Sequence, residues 1–323
     1  MIKAFINRLV PALDFLLLPF TIFSALYFKF YRRVGTVRLK RSTSLLKKLG
    51  VFPILDHYYE PMFNDSHLYK SLSEERFLPG LDFREEEQIL LLKEMVYQDD
   101  FDVFLKAEKY KKFEHAFHIE NGNFESGDAE FLFNFVRHLK PKRVIEIGCG
   151  SSTKLISHAL KLNSVGDTVS AEHICIEPYE QAWLETFENI EVVRKRLEDI
   201  DISMFQRLEE GDLLFIDSSH IIRPQGDVLT EYLEIIPSLC PGVFVHVHDI
   251  FSPRDYPEAW IKENIRLWNE QYLLEALLSN NDSYTTIAAL NFLKHKHYDL
   301  LKFVCPYLNN EREPGSFYFV KNK

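Results

Sequence analysis

Apolar positions along the C-terminal two thirds of the chain come in short runs separated by longer stretches of helical spacing. Residues 143–147, 171–178, 190–193, 212–217 and 242–249 read as five strands, because each is a brief apolar run bounded by turn or charged residues. Residues 228–239 carry apolar positions at helical intervals. The stretches 284–290 and 317–320 fit two closing strands, with Gly315 and Ser316 supplying a turn before the last. Strands that alternate with helices imply an α/β fold: a doubly wound, Rossmann-like, seven-stranded sheet whose ligands bind beyond the carboxyl ends of the strands.

The N-terminal third follows another pattern. Between Leu9 and Phe28 the chain is nearly all apolar, about the length that crosses a bilayer, although Pro11, Asp14 and Pro19 interrupt it. No acidic residue occurs from Phe15 to Leu55, while Lys29, Arg32, Arg33, Arg38, Lys40, Arg41, Lys47 and Lys48 crowd the same window. Basic side chains beside an apolar segment are drawn to anionic headgroups and hold the downstream chain on the cytoplasmic side. A cleaved signal peptide is disfavoured, since no small-x-small site succeeds the apolar run. Residues 1–50 therefore read as a membrane-associating extension, either spanning or lying in the interface, with a helix docked on the globular domain as the rival.

Residues 51–120 form a helical cap or lid region. The aromatic, proline-punctuated stretch 51–61 is either a substrate lid or a packing strap, and 85–97 and 101–110 show helical spacing. The main globular domain then runs over residues 121–323. With 323 residues, 46% hydrophobic, the chain can bury a large core, and a net charge of −10 excludes a nucleic-acid-binding surface over the whole molecule. Cys149, Cys175, Cys240 and Cys305 lack any C-x-x-C spacing and read as reduced cytosolic residues, not as disulfides or a zinc site.

The chemistry begins where the first strand ends. Glu146 is followed by Gly148 and Gly150, then Ser151, Ser152 and Thr153 open a helix. Two glycines at this spacing let the backbone turn tightly and approach a ligand, and a helix N-terminus favours an anion. A carboxylate at position 146 suits a cationic ligand bearing an amino group. Glu177, at the tip of the second strand, is placed to accept both ribose hydroxyls of an adenosine. Glu198, in the polar run 196–199, either meets an adenine amino group or caps a loop. Asp217, His248 and Asp249 converge at the tips of the fourth and fifth strands, either as a cation site or as two helix-capping aspartates beside a satisfied edge histidine. His246 lies inside an apolar run, where strand alternation makes it a core residue with a hydrogen-bond partner.

The order Glu-Ile-Gly-x-Gly, an acidic second-strand tip, Phe215-Ile-Asp-Ser-Ser-His220 and His246-Val-His-Asp-Ile-Phe251 resembles a class I S-adenosylmethionine-dependent methyltransferase, within it the Methyltransf_24 group. Asp255-Tyr-Pro257 adds to the likeness, which covers about residues 115–323, and Ser152 stands where a third glycine often does. The resemblance implies S-adenosylmethionine as cofactor. Glu146 then faces the ammonium end, the backbone from Gly148 to Ser151 the carboxylate, and Glu177 the ribose, while Phe124 and Ser126 form an outer wall. It also implies a divalent cation such as Mg²⁺ on Asp217, His248 and Asp249, with the histidine admitting Mn²⁺, Fe²⁺ or Zn²⁺. His220 is the expected general base, oriented by Asp227, and Tyr256 and Trp260 either line the acceptor pocket or pack.

The expected activity is methylation of a hydroxylated small molecule, glycan or lipid-linked acceptor on the cytoplasmic face of a membrane. An enzyme of other chemistry on the same architecture, of the cephalosporin-hydroxylase-like kind, is the alternative, as is a non-catalytic cofactor-binding adaptor. A nicotinamide dehydrogenase fits less well because the third glycine is missing. Oligomeric state stays open, a homo-oligomer included.

Overall fold

Seven strands hydrogen-bond into one sheet: β1 (Arg143–Ile147), β2 (Glu172–Ile176), β3 (Glu191–Val193), β4 (Leu213–Ile216), β5 (Phe244–Val247), β6 (Tyr284–Ala289) and β7 (Phe317–Lys321). Their order is β3-β2-β1-β4-β5-β7-β6. The first five run parallel, and β7 inserts antiparallel between β5 and β6. This is the class I methyltransferase arrangement of a Rossmann-like sheet. All seven expected strands are present within a residue or two of their apolar runs. The computed structural model describes residues 2–57, 59–111, 116–165, 171–179 and 181–323. Tyr58 and residues 112–115, within the expected cap region, lie outside the described residues.

The strands are apolar on both faces because helices cover both faces, as parallel sheets require. Val144, Ile145, Leu213, Leu214, Phe215 and Ile216 are buried in a single core with Phe131, Phe133 and Phe135 of α5 (Asp128–Leu139). Each such side chain contributes about 1.5–3 kcal/mol of burial. Upstream helices α3 (Glu85–Glu94) and α4 (Gln98–Glu108) add Leu92, Phe101 and Phe104 to that core, with Met95 from the residue that ends α3. They serve as packing elements.

Helix α6 (Ser151–Asn163) comes directly after β1. After β4, α7 (Asp227–Thr230) passes through a π-helical turn at Glu231–Ile235 into α8 (Ile236–Ser238), which carries Pro237. The remaining helices are α9 (Glu258–Lys262), α10 (Glu270–Leu278), α11 (Leu290–Lys296) and α12 (Tyr298–Val304).

The chain divides into two compact units, Met1–Tyr69 and Lys70–Lys323, so the segment 51–120 is shared between them. The first unit holds α1 (Ile2–Val34) and α2 (Lys40–Lys48). Pro11 and Pro19 sit inside α1 without ending it. Residues Val10–Val34, with mean hydropathy 1.7, are long and apolar enough to cross a membrane. The turn between the two helices is pinned where the Tyr31 and Thr43 hydroxyls meet at 2.6 Å and Thr43 donates to the Thr36 carbonyl.

Candidate functional site

Sheet register brings three strand tips to one level. The Asp217 N–H donates to the Ile147 carbonyl, the His248 N–H to that of Ile216 and the Gly148 N–H to that of Ile176, all at 2.9–3.0 Å. The strand order reverses between β1 and β4, the switch point where open α/β sheets bind ligands. Gly148 has φ of +78°, and a Cβ there would stand 1.8 Å from the Asp217 carbonyl oxygen. Only glycine fits. A Cβ on Gly150 would meet no protein atom within 4 Å; the space it would fill is the cavity.

Two adjoining cavities flank this loop, of about 1050 and 780 Å³. Gly148, Glu177 and Asp217 line both. Glu177 accepts from the N–H of Tyr179 at 3.0 Å and of Cys149 at 3.4 Å, which fixes its carboxylate at the β2 tip. Gly150, Ser151 and Phe124 line the larger cavity and Glu198 the smaller.

Two expected cofactor contacts are corrected. Glu146 is fully buried and reaches neither cavity. One carboxylate oxygen accepts from the Ser152 hydroxyl at 2.6 Å, and the other faces His173 Nε2 at 3.0 Å and the Cys175 thiol at 3.6 Å. It anchors the start of α6 from beneath. Ser126 also lines neither of these two cavities; its hydroxyl donates to the Tyr307 carbonyl.

Beyond the loop, Asp217, His248 and Asp249 place one ligand atom each within 4.8 Å of one another. His248 Nδ1 lies 3.4 Å from Asp217 Oδ1 and 3.7 Å from Asp249 Oδ1, is buried, and makes no hydrogen bond. A buried imidazole nitrogen without a hydrogen-bond partner, facing two carboxylates, is the donor set that a hard or borderline divalent cation takes. Burial opposes charge on Asp217, yet His248 and His220 overcome it and hold its carboxyl well below the usual range. Burial raises that of Asp249. His220 and Asp249 both have left-handed backbones, φ of +60° and +59°, an uncommon conformation outside glycine that aims their side chains into the cluster.

His220, the expected general base, is enclosed by carboxylates. Its Nδ1 faces Glu270 Oε2 at 2.8 Å, and its Nε2 faces Asp217 and Asp249 at 3.3 and 3.4 Å. Burial disfavours the imidazolium, but three carboxylates raise its pKa well above the ordinary value. Both ring nitrogens of His220 therefore face carboxylates, two of them the strand-tip aspartates. Asp227 does not orient it, since its carboxylate takes the N–H and hydroxyl of Ser219. Glu270, fifty residues away in sequence, fills that place, and no sequence signal pointed to it.

His246 is a core residue as expected, with Nε2 2.9 Å from the Ser316 hydroxyl and burial holding its pKa well below the ordinary value. Tyr256 packs, its hydroxyl accepting from the Gln271 N–H, whereas Trp260 lines the larger cavity with Arg266 and Trp268. Trp268, Arg266, Trp183 and Lys154 were not anticipated as lining residues. Cys149, Cys175 and Cys305 are buried and free, and Cys240 is exposed.

The family model described as "Methyltransferase domain", Methyltransf_24, matches residues 145–250, which run from β1 to just past the β5 tip. Residues 145–250 are similar to this family's methyltransferase domain. An uncharacterized protein of Archaeoglobus fulgidus is 28% identical over 201 residues, covering 58% of this chain and 88% of that protein. Among solved structures, the O-methyltransferase from Bacillus cereus in complex with SAH is similar at 12% identity and a TM-score of 0.39, covering 72% of this chain and all of that one. A SAM-dependent methyltransferase from Archaeoglobus fulgidus is similar at 12% identity and a TM-score of 0.30, covering 60% of this chain and 94% of its own. In the methyltransferase domain itself, strand order and the glycine loop define the fold.

Proposed function

We propose that this protein transfers the methyl group of S-adenosylmethionine to a hydroxyl of a small-molecule, glycan or lipid-linked acceptor, on the cytoplasmic face of a membrane. The observation that carries this reading is a single cavity joining the glycine loop of the methyltransferase domain to the Asp217–His248–Asp249 cluster. Glu177 would hold the ribose hydroxyls, the N–H groups around Gly148 to Ser151 the carboxylate, Glu198 the adenine edge, and Phe124 the outer wall. Apposition of donor and acceptor supplies most of the rate, because in-line displacement needs alignment more than covalent help.

Asp217, His248 and Asp249 would hold a divalent cation. Mg²⁺ or a similar ion, when bound there, lowers the pKa of a coordinated hydroxyl. His220 and Asp249, which face each other at 3.4 Å, would take up the acceptor proton. The apolar helix α1 supports the membrane assignment, and a lipid-linked acceptor would explain why such an enzyme carries one.

Calorimetry of the full chain with S-adenosylmethionine and with NAD tests the donor. Saturable binding of the first alone is expected; binding of NAD alone overturns the reading. Asp217→Ala and Asp249→Ala should each lower transfer of labelled methyl to a cell lipid extract roughly a hundredfold or more, while cofactor affinity changes only a few-fold. Full activity in both variants, or in excess chelator, would remove the cation from the scheme.

A further inference from the structure

We propose that Arg266 recognises an oxyanion on the acceptor, so that the compound methylated carries a carboxylate or phosphate in addition to its hydroxyl. This rests on the methyltransferase reading and adds the acceptor's charge to it. After α9 the chain turns back, and the Arg266 N–H donates to the Trp260 carbonyl at 2.7 Å. The guanidinium then lies against two indoles, 4.7 Å from the Trp260 ring centroid and 4.9 Å from that of Trp268. The two indoles meet edge to face at 5.2 Å, and Trp268 packs on the His220 ring at 4.3 Å. All four side chains line the cavity that contains Asp217 and Asp249.

The aromatic faces attract the cation but accept none of its N–H groups. Arg266 is exposed, and no carboxylate or carbonyl among the described residues takes its five N–H donors. Nearby arginines are spent differently. Arg76 is paired with Glu275 and Asp255, and Arg254 donates to the Ser73 carbonyl. A planar, oriented and unspent guanidinium is the group that grips carboxylates and phosphates two bonds at a time.

The cavity is consequently polar along its length. Acidic strand tips lie at one end and a fixed cation stands two rings away, separated by Trp268 and His220. An acceptor with a hydroxyl at one end and an oxyanion at the other matches that order. Trp260, Arg266 and Trp268 lie beyond residue 250, outside the segment matched by the family model.

The test is tryptophan fluorescence titration of the full-length protein, saturated with S-adenosylmethionine, using glucose, glucuronate and glucose 6-phosphate as probes. At least one anion should act at about tenfold lower concentration than glucose, the size of effect that a charge-assisted hydrogen bond confers. Preference for glucuronate assigns a carboxylate, and preference for glucose 6-phosphate a phosphate. Arg266→Gln should remove the discrimination, and Arg266→Lys should keep only part of it, since an ammonium lacks the fork. Anions that act no better than glucose on the wild type overturn the proposal, as does discrimination retained in folded Arg266→Gln. Loss of cofactor affinity in that variant overturns it too, by assigning the arginine to the donor. Calorimetry with S-adenosylmethionine on the wild type reports separately on the underlying reading.

Discussion

At the residue scale the site depends on how closely two strand tips approach. Gly148 combines a left-handed backbone with a contact that leaves no room for a methyl group against the Asp217 carbonyl. Gly148→Ala must therefore move either the loop or β4. It should destabilise the protein by about 2–4 kcal/mol and abolish cofactor binding, measured by urea unfolding and calorimetry. A variant that binds S-adenosylmethionine normally would show that the loop relaxes freely. Gly148, Glu177 and the Asp217–His248–Asp249 cluster were legible in the sequence because each sits at a strand tip, and strand tips are located by apolar periodicity. Glu146 was misread for a related reason. Alternation tells which face a side chain takes, but not that Ser152 from the next helix and His173 from the neighbouring strand close over it. The Glu270 contact to His220 was illegible, since nothing local in the chain connects a loop histidine to a helix that starts fifty residues later.

Among the elements, strands were readable and helix ends were less so. The run 228–239 shows plain helical periodicity, yet it contains a π-helical turn, set by tertiary packing around buried Glu231 and Tyr232. The start of α5 is another such case. Glu130 reaches back to accept the Gly127 N–H at 2.7 Å and also takes the Tyr307 N–H at 3.0 Å from across the core. Burial pushes its carboxyl up to about 7, against the pull of those two N–H groups. The native state then binds more protons than the unfolded chain between the ordinary value of 4.5 and about 7. Its contribution to stability is complete below 4.5 and is lost as pH rises through 7, on the order of 2–3 kcal/mol in all. Urea midpoints measured from pH 5 to 8 should fall with this profile in the wild type. Glu130→Gln cannot titrate and should flatten it. An equal slope in both proteins would place the titration elsewhere.

For the molecule as a whole, the division at Tyr69 separates two kinds of surface. Among the described residues, the buried core of the sheet and its helices begins at Leu81, within the second unit. Deleting residues 1–69 should leave a folded protein that binds S-adenosylmethionine with unchanged affinity by calorimetry. Unfolding of that truncation would mean that the first unit contributes to the core. The first unit exposes Phe15, Leu16, Phe20, Phe23 and Leu26 along α1 and carries the basic α2 next, in a chain whose net charge is −10. Apolar exposure on that scale needs a covering surface, and cations without acidic neighbours favour one that is anionic. Full-length protein should float with phosphatidylserine vesicles while the truncation stays in solution. Salt separates the two modes of attachment. Headgroup attraction across the interface is screened within about 8 Å at physiological ionic strength, so an interfacial helix pair should be released by raised salt. A span over Val10–Val34, held by about 25 residues of apolar helix, should resist both high salt and alkaline extraction. Equal partitioning of both proteins into the soluble fraction would leave the apolar face of α1 to a protein partner instead of a bilayer.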